Sequence, residues 1–129
     1  MLRVLGRRMA AASRVHFKGA RNFALLVPKD DAELAEVITN AKEKQLLVID
    51  WTATWCGPCR QIAPHFEALS NKHEDVTFLK CDIDVLKGSA GQAGISAVPS
   101  FHFVKDGELV ESIAGADLVK LTALVDEHK

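Results

Sequence analysis

Residues 55–59 read Trp-Cys-Gly-Pro-Cys. Two cysteines at this spacing can exchange disulfides if one of them ionises readily, because the thiolate is the nucleophile. The apolar run Leu46-Leu47-Val48-Ile49 just before them reads as a buried strand. Strand, tight turn and helix start would put Cys56 at a helix N-terminus, where the dipole and free backbone N–H groups stabilise a thiolate. Cys59 would lie one turn in, on the same face. Such a pair can close a disulfide and open it again.

C-x-x-C alone is ambiguous. It can be half of a zinc site, which needs a second pair of ligands. The chain offers only Cys81 and single histidines such as His65, His73 and His102, with no second C-x-x-C or H-x3-5-H. A structural disulfide belongs to cysteine-dense secreted chains, and three cysteines in 129 residues are too few for that. A redox dithiol is the better reading, and no metal is expected. The five histidines form no coherent site. His65 and His73 are expected to be solvated, and His102, between Phe101 and Phe103, to point outward or to be a satisfied edge residue.

These cysteines need a domain to hold them, and the length allows one. No stretch approaches the ~18 apolar residues of a membrane span. The net charge of −1 hides an asymmetry. Residues 1–29 carry seven basic residues and no acid, whereas residues 30–129 hold 9 basic and 17 acidic side chains. Arg3, Arg7, Arg14, Lys18 and Arg21 fall on one side of a helical wheel, and Leu2, Leu5, Met9, Ala12 and Phe23 near the other. A basic, acid-free amphipathic start is the transit-peptide pattern, and charges interrupt every apolar run before it reaches the length of a secretory core. Arg21-Asn22-Phe23-Ala24 resembles a mitochondrial processing site. Residues 1–23 are therefore expected to be a cleaved transit peptide and residues 24–129 the domain. Mitochondrial location follows, with the cytoplasm as the alternative. A disordered basic tail, a start at Met9 and a nucleic-acid arm are competing readings. The last is disfavoured because the acidic body would repel phosphate.

Within the domain, Ala24–Val27 is a candidate strand stopped by Pro28. Asp30 or Asp31 can cap a helix carrying Leu34, Val37, Ile38 and Ala41 at helical spacing. Leu46–Thr52 is the buried strand. A helix from Gly57 to about His73 contains Pro64, which removes a donor and is expected to kink it. Val76–Asp82 is the next strand. Gly88, Gly91 and Gly94 leave only a short, weak helix. Ser100–Val104 and Glu108–Ile113 form a hairpin around Asp106-Gly107, and Leu118, Leu121 and Val125 mark a last helix. The pattern is α/β, a mixed central sheet with helices on both faces.

From Ala24 onward the chain resembles the thioredoxin family. The resemblance rests on Asp50 six residues before Cys56, Trp55-Cys56-Gly57-Pro58-Cys59, Pro64, Lys80, Val98-Pro99 before the hairpin and Gly115 after it. Trp51, where the family usually has Phe, and Thr52, where many members have Trp or Ser, depart from the pattern and read as core variation. Cys81 is not a family landmark. Alternation puts it on the opposite sheet face from Lys80, as a buried inert thiol.

The resemblance implies the thioredoxin fold and a protein disulfide reductase that cycles through a Cys56–Cys59 disulfide. Cys56 would attack the substrate disulfide and Cys59 would resolve the mixed disulfide. Gly57 and Pro58 separate them, and Pro58 is associated with the reducing members. Asp50 is the candidate base for Cys59, with a pKa raised by its apolar run and moderated by Lys80. Trp55, Ile83, Val98, Pro99, Gly115 and Ala116 match the family's apolar apron around an exposed sulfur, with a cis bond before Pro99. The implied partners are disulfide-bearing proteins and a flavoprotein of the thioredoxin reductase kind. NADPH would be used only through that reductase, so the chain itself would carry no cofactor. A monomer with no nucleic-acid or stable membrane association is expected. A redox-gated binding regulator with little turnover is the alternative function.

Overall fold

The computed structural model describes residues 25–129, so the expected transit peptide lies outside the described residues. Strand β1 spans Leu25–Leu26 and helix α1 Asp31–Thr39. Strand β2 spans Leu46–Thr52, helix α2 Gly57–Lys72 and strand β3 Thr77–Asp82. Helix α3 covers Lys87–Ala93, and strands β4 (Ser100–Lys105) and β5 (Glu108–Ala114) precede helix α4 (Leu118–His128). The sheet order is β1-β3-β2-β4-β5. β1, β3 and β2 run parallel, and β4 and β5 add antiparallel. This is the mixed sheet expected from the sequence.

Alternation along β2 sorts the core into two layers. Leu46 and Val48 face α2 and α4, joining Phe66, Phe78, Phe101, Phe103, Leu121 and Val125. Leu47, Ile49 and Trp51 face α1 and α3, joining Leu34, Leu79, Cys81 and Leu86. Four phenyl rings in the first layer are fully buried, and each such burial stabilises the fold by about 1.5–3 kcal/mol. β2 is buried along its whole length because it pairs on both edges and is covered on both faces.

Local chemistry sets the element ends. Asp30 caps α1, its Oδ1 accepting from the Glu33 backbone N–H at 2.8 Å. Asp106 and Gly107 have φ of 54° and 78°, the left-handed pair that a two-residue hairpin turn needs. The hairpin strands run one residue longer than expected, to Lys105 and Ala114, and further expectations are corrected. The first strand is shorter than expected: Val27 lies outside it and is exposed. The third begins at Thr77 rather than Val76. His73 is 4% exposed, because it ends α2 where the chain turns under α4. Its ring lies 3.4 Å from the Lys129 Nζ and 3.9 Å from Asp126, and burial pushes its pKa down. Pro64 is accommodated inside a single continuous α2.

Candidate active site

Cys56 is the N-cap of α2, in extended conformation with φ −94° and ψ 114°. Its Sγ accepts from the Cys59 backbone N–H at 3.2 Å. The sulfur therefore takes the place that a Ser or Asp oxygen takes in an ordinary cap, and negative charge on it is stabilised by the positive end of the helix dipole. Gly57 and Pro58 fill the first helical positions, where a missing N–H costs no intrahelical bond. Cys56 and Cys59 form a disulfide, with Cα atoms 5.3 Å apart.

The expected exposed sulfur is more enclosed than anticipated. Cys56 is 5% exposed, because it packs with Ala53 and Cys59 under partly buried Ile83 and Val98. Cys56 Sγ lies 3.8 Å from the Val98 carbonyl oxygen. In the disulfide this is a contact only; a Cys56 thiol could donate along the same line. The Val98–Pro99 bond is cis, and Pro99 O accepts from the Gly115 N–H at 2.8 Å. Gly115 has φ 107°, which a side chain would strain. Ala116 is exposed in the turn before α4, outside the apolar cluster around the sulfurs. Trp55 is 65% exposed rather than a core aromatic. Its indole Nε1–H donates to Asp84 Oδ2 at 3.0 Å.

Asp50 shares the face of β2 that points at α2 and is 2% exposed. Its Oδ1 has no hydrogen-bond partner among the described residues. Burial raises its pKa to about 7, and the positive charge of Lys80, its register partner on β3, restrains the rise. A cavity of about 200 Å³ lies against Asp50, Lys80, Ala63 and Glu67. A water in liquid occupies about 30 Å³, so this space can hold a short water path. Ala63 and Lys80 also wall a larger groove that reaches Cys59, so the same two side chains stand between the space at the carboxyl and the space at the second sulfur.

Cys81 faces the α1–α3 layer, fully buried. Burial, followed by the Asp50 charge, pushes its thiol up to about 12. Among the described residues no three His, Cys, Asp or Glu side chains are grouped to hold a metal ion. Sequence reasoning missed Asp84, Ala53 and the Arg60 Nη1 bond to the Thr54 carbonyl at 2.9 Å. Asp82-x-Asp84 was a readable turn signal, since the Asp84 N–H bonds to Asp82 Oδ1. Nothing local tied Asp84 to an indole 29 residues earlier.

Comparison with known proteins agrees with this geometry. The thioredoxin family model matches residues 26–127. Thioredoxin-1 of Schizosaccharomyces pombe is 46% identical over 96 residues, covering 74% of this chain and 90% of that protein. A thioredoxin H-type of Chlamydomonas reinhardtii is 48% identical over 99 residues, covering 76% and 85%. The crystal structure of a reduced Schistosoma mansoni thioredoxin pre-protein superposes with a TM-score of 0.78 at 39% identity, covering 81% of this chain and 98% of that one. The matched span holds the whole described domain except its outermost residues, and the disulfide at its centre is the chemistry the fold carries: the chain belongs to the thioredoxin family and is a thiol-disulfide oxidoreductase of the protein-disulfide reductase type.

Proposed function

We propose that Cys56 is the attacking thiol, Cys59 the resolving thiol and Asp50 the proton acceptor for Cys59, in a reductase imported into mitochondria. The observation that carries the assignment is the Cys59 N–H bond to Cys56 Sγ at the mouth of α2. That bond and the helix dipole favour the Cys56 thiolate over the thiol. The thiolate attacks one sulfur of a substrate disulfide, forming Cys56–S–S–substrate and expelling the other substrate sulfur as a thiolate. Cys59 then loses its proton toward Asp50, by way of water in the cavity that lies against the Asp50 carboxyl. Cys59 sulfur attacks Cys56 sulfur, the substrate sulfur leaves, and the Cys56–Cys59 disulfide remains. A carboxyl with pKa about 7 is matched to this proton transfer near neutral pH. Trp55, Ile83, Val98 and Gly115 frame the approach of the substrate chain, and the Val98 backbone is the edge along which it can pair.

Recharging requires two electrons from outside. A flavoprotein reductase of the thioredoxin reductase kind, using NADPH, is the proposed donor. The acid-free basic start supports mitochondrial import with cleavage near residue 23. Trapping tests the thiol roles: Cys59→Ser should hold substrates as mixed disulfides, while Cys56→Ser should hold none. Capture by Cys56→Ser alone would reverse them. N-terminal sequencing of protein from isolated mitochondria tests the location; an intact Met1 chain confined to the cytosol would refute it.

A further inference from the structure

The disulfide has two flanks, because β2 lies between β3 and β4. Val98–Pro99 leads into β4 and Gly115 follows β5, so this backbone occupies one flank. A groove of about 680 Å³ occupies the other. Its walls are the ends of β2 and β3, the first turns of α2 and the loop after β1, and Cys59 lies in the wall.

Two properties mark this groove. Val27 and Val85 line it while 65% and 53% exposed. They border an apolar patch beside the reactive sulfurs, and exposed patches of that kind mark contact surfaces. The groove also inverts the charge of its surroundings. It gathers Lys29, Arg60 and Lys80 against Asp82 alone, on a body whose residues 25–129 hold 10 basic and 17 acidic side chains. Lys29 is paired with Glu33 at 4.0 Å, and the charge of Lys80 acts on Asp50. Arg60 has no carboxylate partner among the described residues. Its one side-chain hydrogen bond among the described residues goes to the Thr54 carbonyl, which fixes the guanidinium at the rim. An arginine has five N–H donors, so most of its capacity for a carboxylate is free.

We propose that this groove docks a segment of the disulfide-bearing substrate protein in which an apolar side chain is flanked by acidic ones. The apolar side chain sits between Val27 and Val85, and the carboxylates meet Arg60. The groove adjoins the disulfide through Cys59, so a chain engaged at Cys56 can lay neighbouring residues in it. A second contact on a chain already held adds affinity through effective concentration. The proposal rests on the reductase reading and names the substrate class that reading leaves open.

Two short synthetic peptides test it, each closed by one internal disulfide. They are identical except for Leu-Glu-Glu or Leu-Lys-Lys beside one cysteine. Single-turnover reduction by the full, pre-reduced chain gives a rate constant for each. The acidic peptide should react at least about fivefold faster at low ionic strength, and the ratio should shrink in about 0.5 M salt, because rim charges act through screened encounter. Arg60→Glu should invert the ratio and Arg60→Lys should preserve its direction. Arg60 adjoins Cys59, so its replacement can alter thiol reactivity, but that effect is common to both peptides and cancels in the ratio. Val85→Ser should slow both peptides and leave the ratio unchanged. A ratio near one, or one that Arg60→Glu does not move, would overturn the groove while leaving the reductase intact. Reduction of neither peptide would overturn the reductase reading and the groove with it.

Discussion

Cys56 and Cys81 are the same residue in opposite settings. Cys56 caps a helix, with a backbone N–H aimed at its sulfur. Cys81 sits in the middle of the sheet's buried face, its thiol pushed up to about 12 by burial and by Asp50. One environment supplies donors and positive potential for a sulfur anion. The other supplies only hydrocarbon and a nearby negative charge. Thiol reactivity in this molecule is therefore a property of place in the fold. Placement also explains why one sheet can hold an inert thiol one residue along β3 from Lys80, which faces the site.

Loss of the sulfur atom gives the widest separation between the two. Cys56→Ser should abolish insulin reduction. Cys81→Ala should leave turnover within about twofold of the parent while lowering stability by about 1 kcal/mol, the cost of a small cavity. Loss of turnover in Cys81→Ala, with folding intact, would break the contrast. Alkylation sharpens it. At pH 7.5 a thiol at about 12 is ionised to only about three parts in a hundred thousand. Iodoacetamide should therefore label Cys56 of the reduced protein within minutes and Cys81 only after unfolding, as read by peptide mass mapping.

Asp50 adds a second contrast, between its use and its cost. Its folded pKa of about 7 lies above the ordinary 3.8. Below the ordinary value both folded and unfolded forms are neutral, and no penalty exists. As pH rises toward 7 the unfolded chain ionises first, so stability falls, then levels off above the folded pKa. Asp50→Asn removes the titration. Its stability relative to the parent should rise between pH 4 and pH 8, by up to about 4 kcal/mol, from about 1.4 kcal/mol per pKa unit. Urea unfolding at both pH values measures this. The same variant should slow resolution of the mixed disulfide several-fold. A pH-independent stability difference would remove the physical basis for Asp50 as proton acceptor.

Much of this was legible in the chain. The run Leu46–Thr52, the cysteine pair and the Asp-Gly turn each declare themselves within a few residues, since strand burial, helix capping and left-handed turns are local requirements. Asp50 and Lys80 became a pair only through the resemblance, and their register across β2 and β3 is a fact of tertiary structure. His73 was misread as solvated because its helix position looks polar; burial came from α4, more than 40 residues later. The enclosure of Cys56 likewise depends on Ile83 and Val98, which arrive from separate loops.

The smallest effect concerns Asp84, which no local pattern linked to the site. Its carboxylate accepts from the Trp55 indole at 3.0 Å, and both residues are exposed. An exposed hydrogen bond contributes about 0.5–1.5 kcal/mol, so Asp84→Ala should change stability little. Its consequence should lie in the orientation of Trp55, the residue just before Cys56. With the indole free to rotate, substrate approach loses one fixed wall, and the second-order rate of disulfide reduction should fall about two- to fivefold, within the range of a lost hydrogen bond. The rate of alkylation by iodoacetamide should change less, because so small a reagent needs no such wall. Broader Trp55 fluorescence anisotropy decay would accompany the loss. Equal falls in both rates would mean that Asp84 acts on the Cys56 thiolate through its charge, and the wall would then play no part.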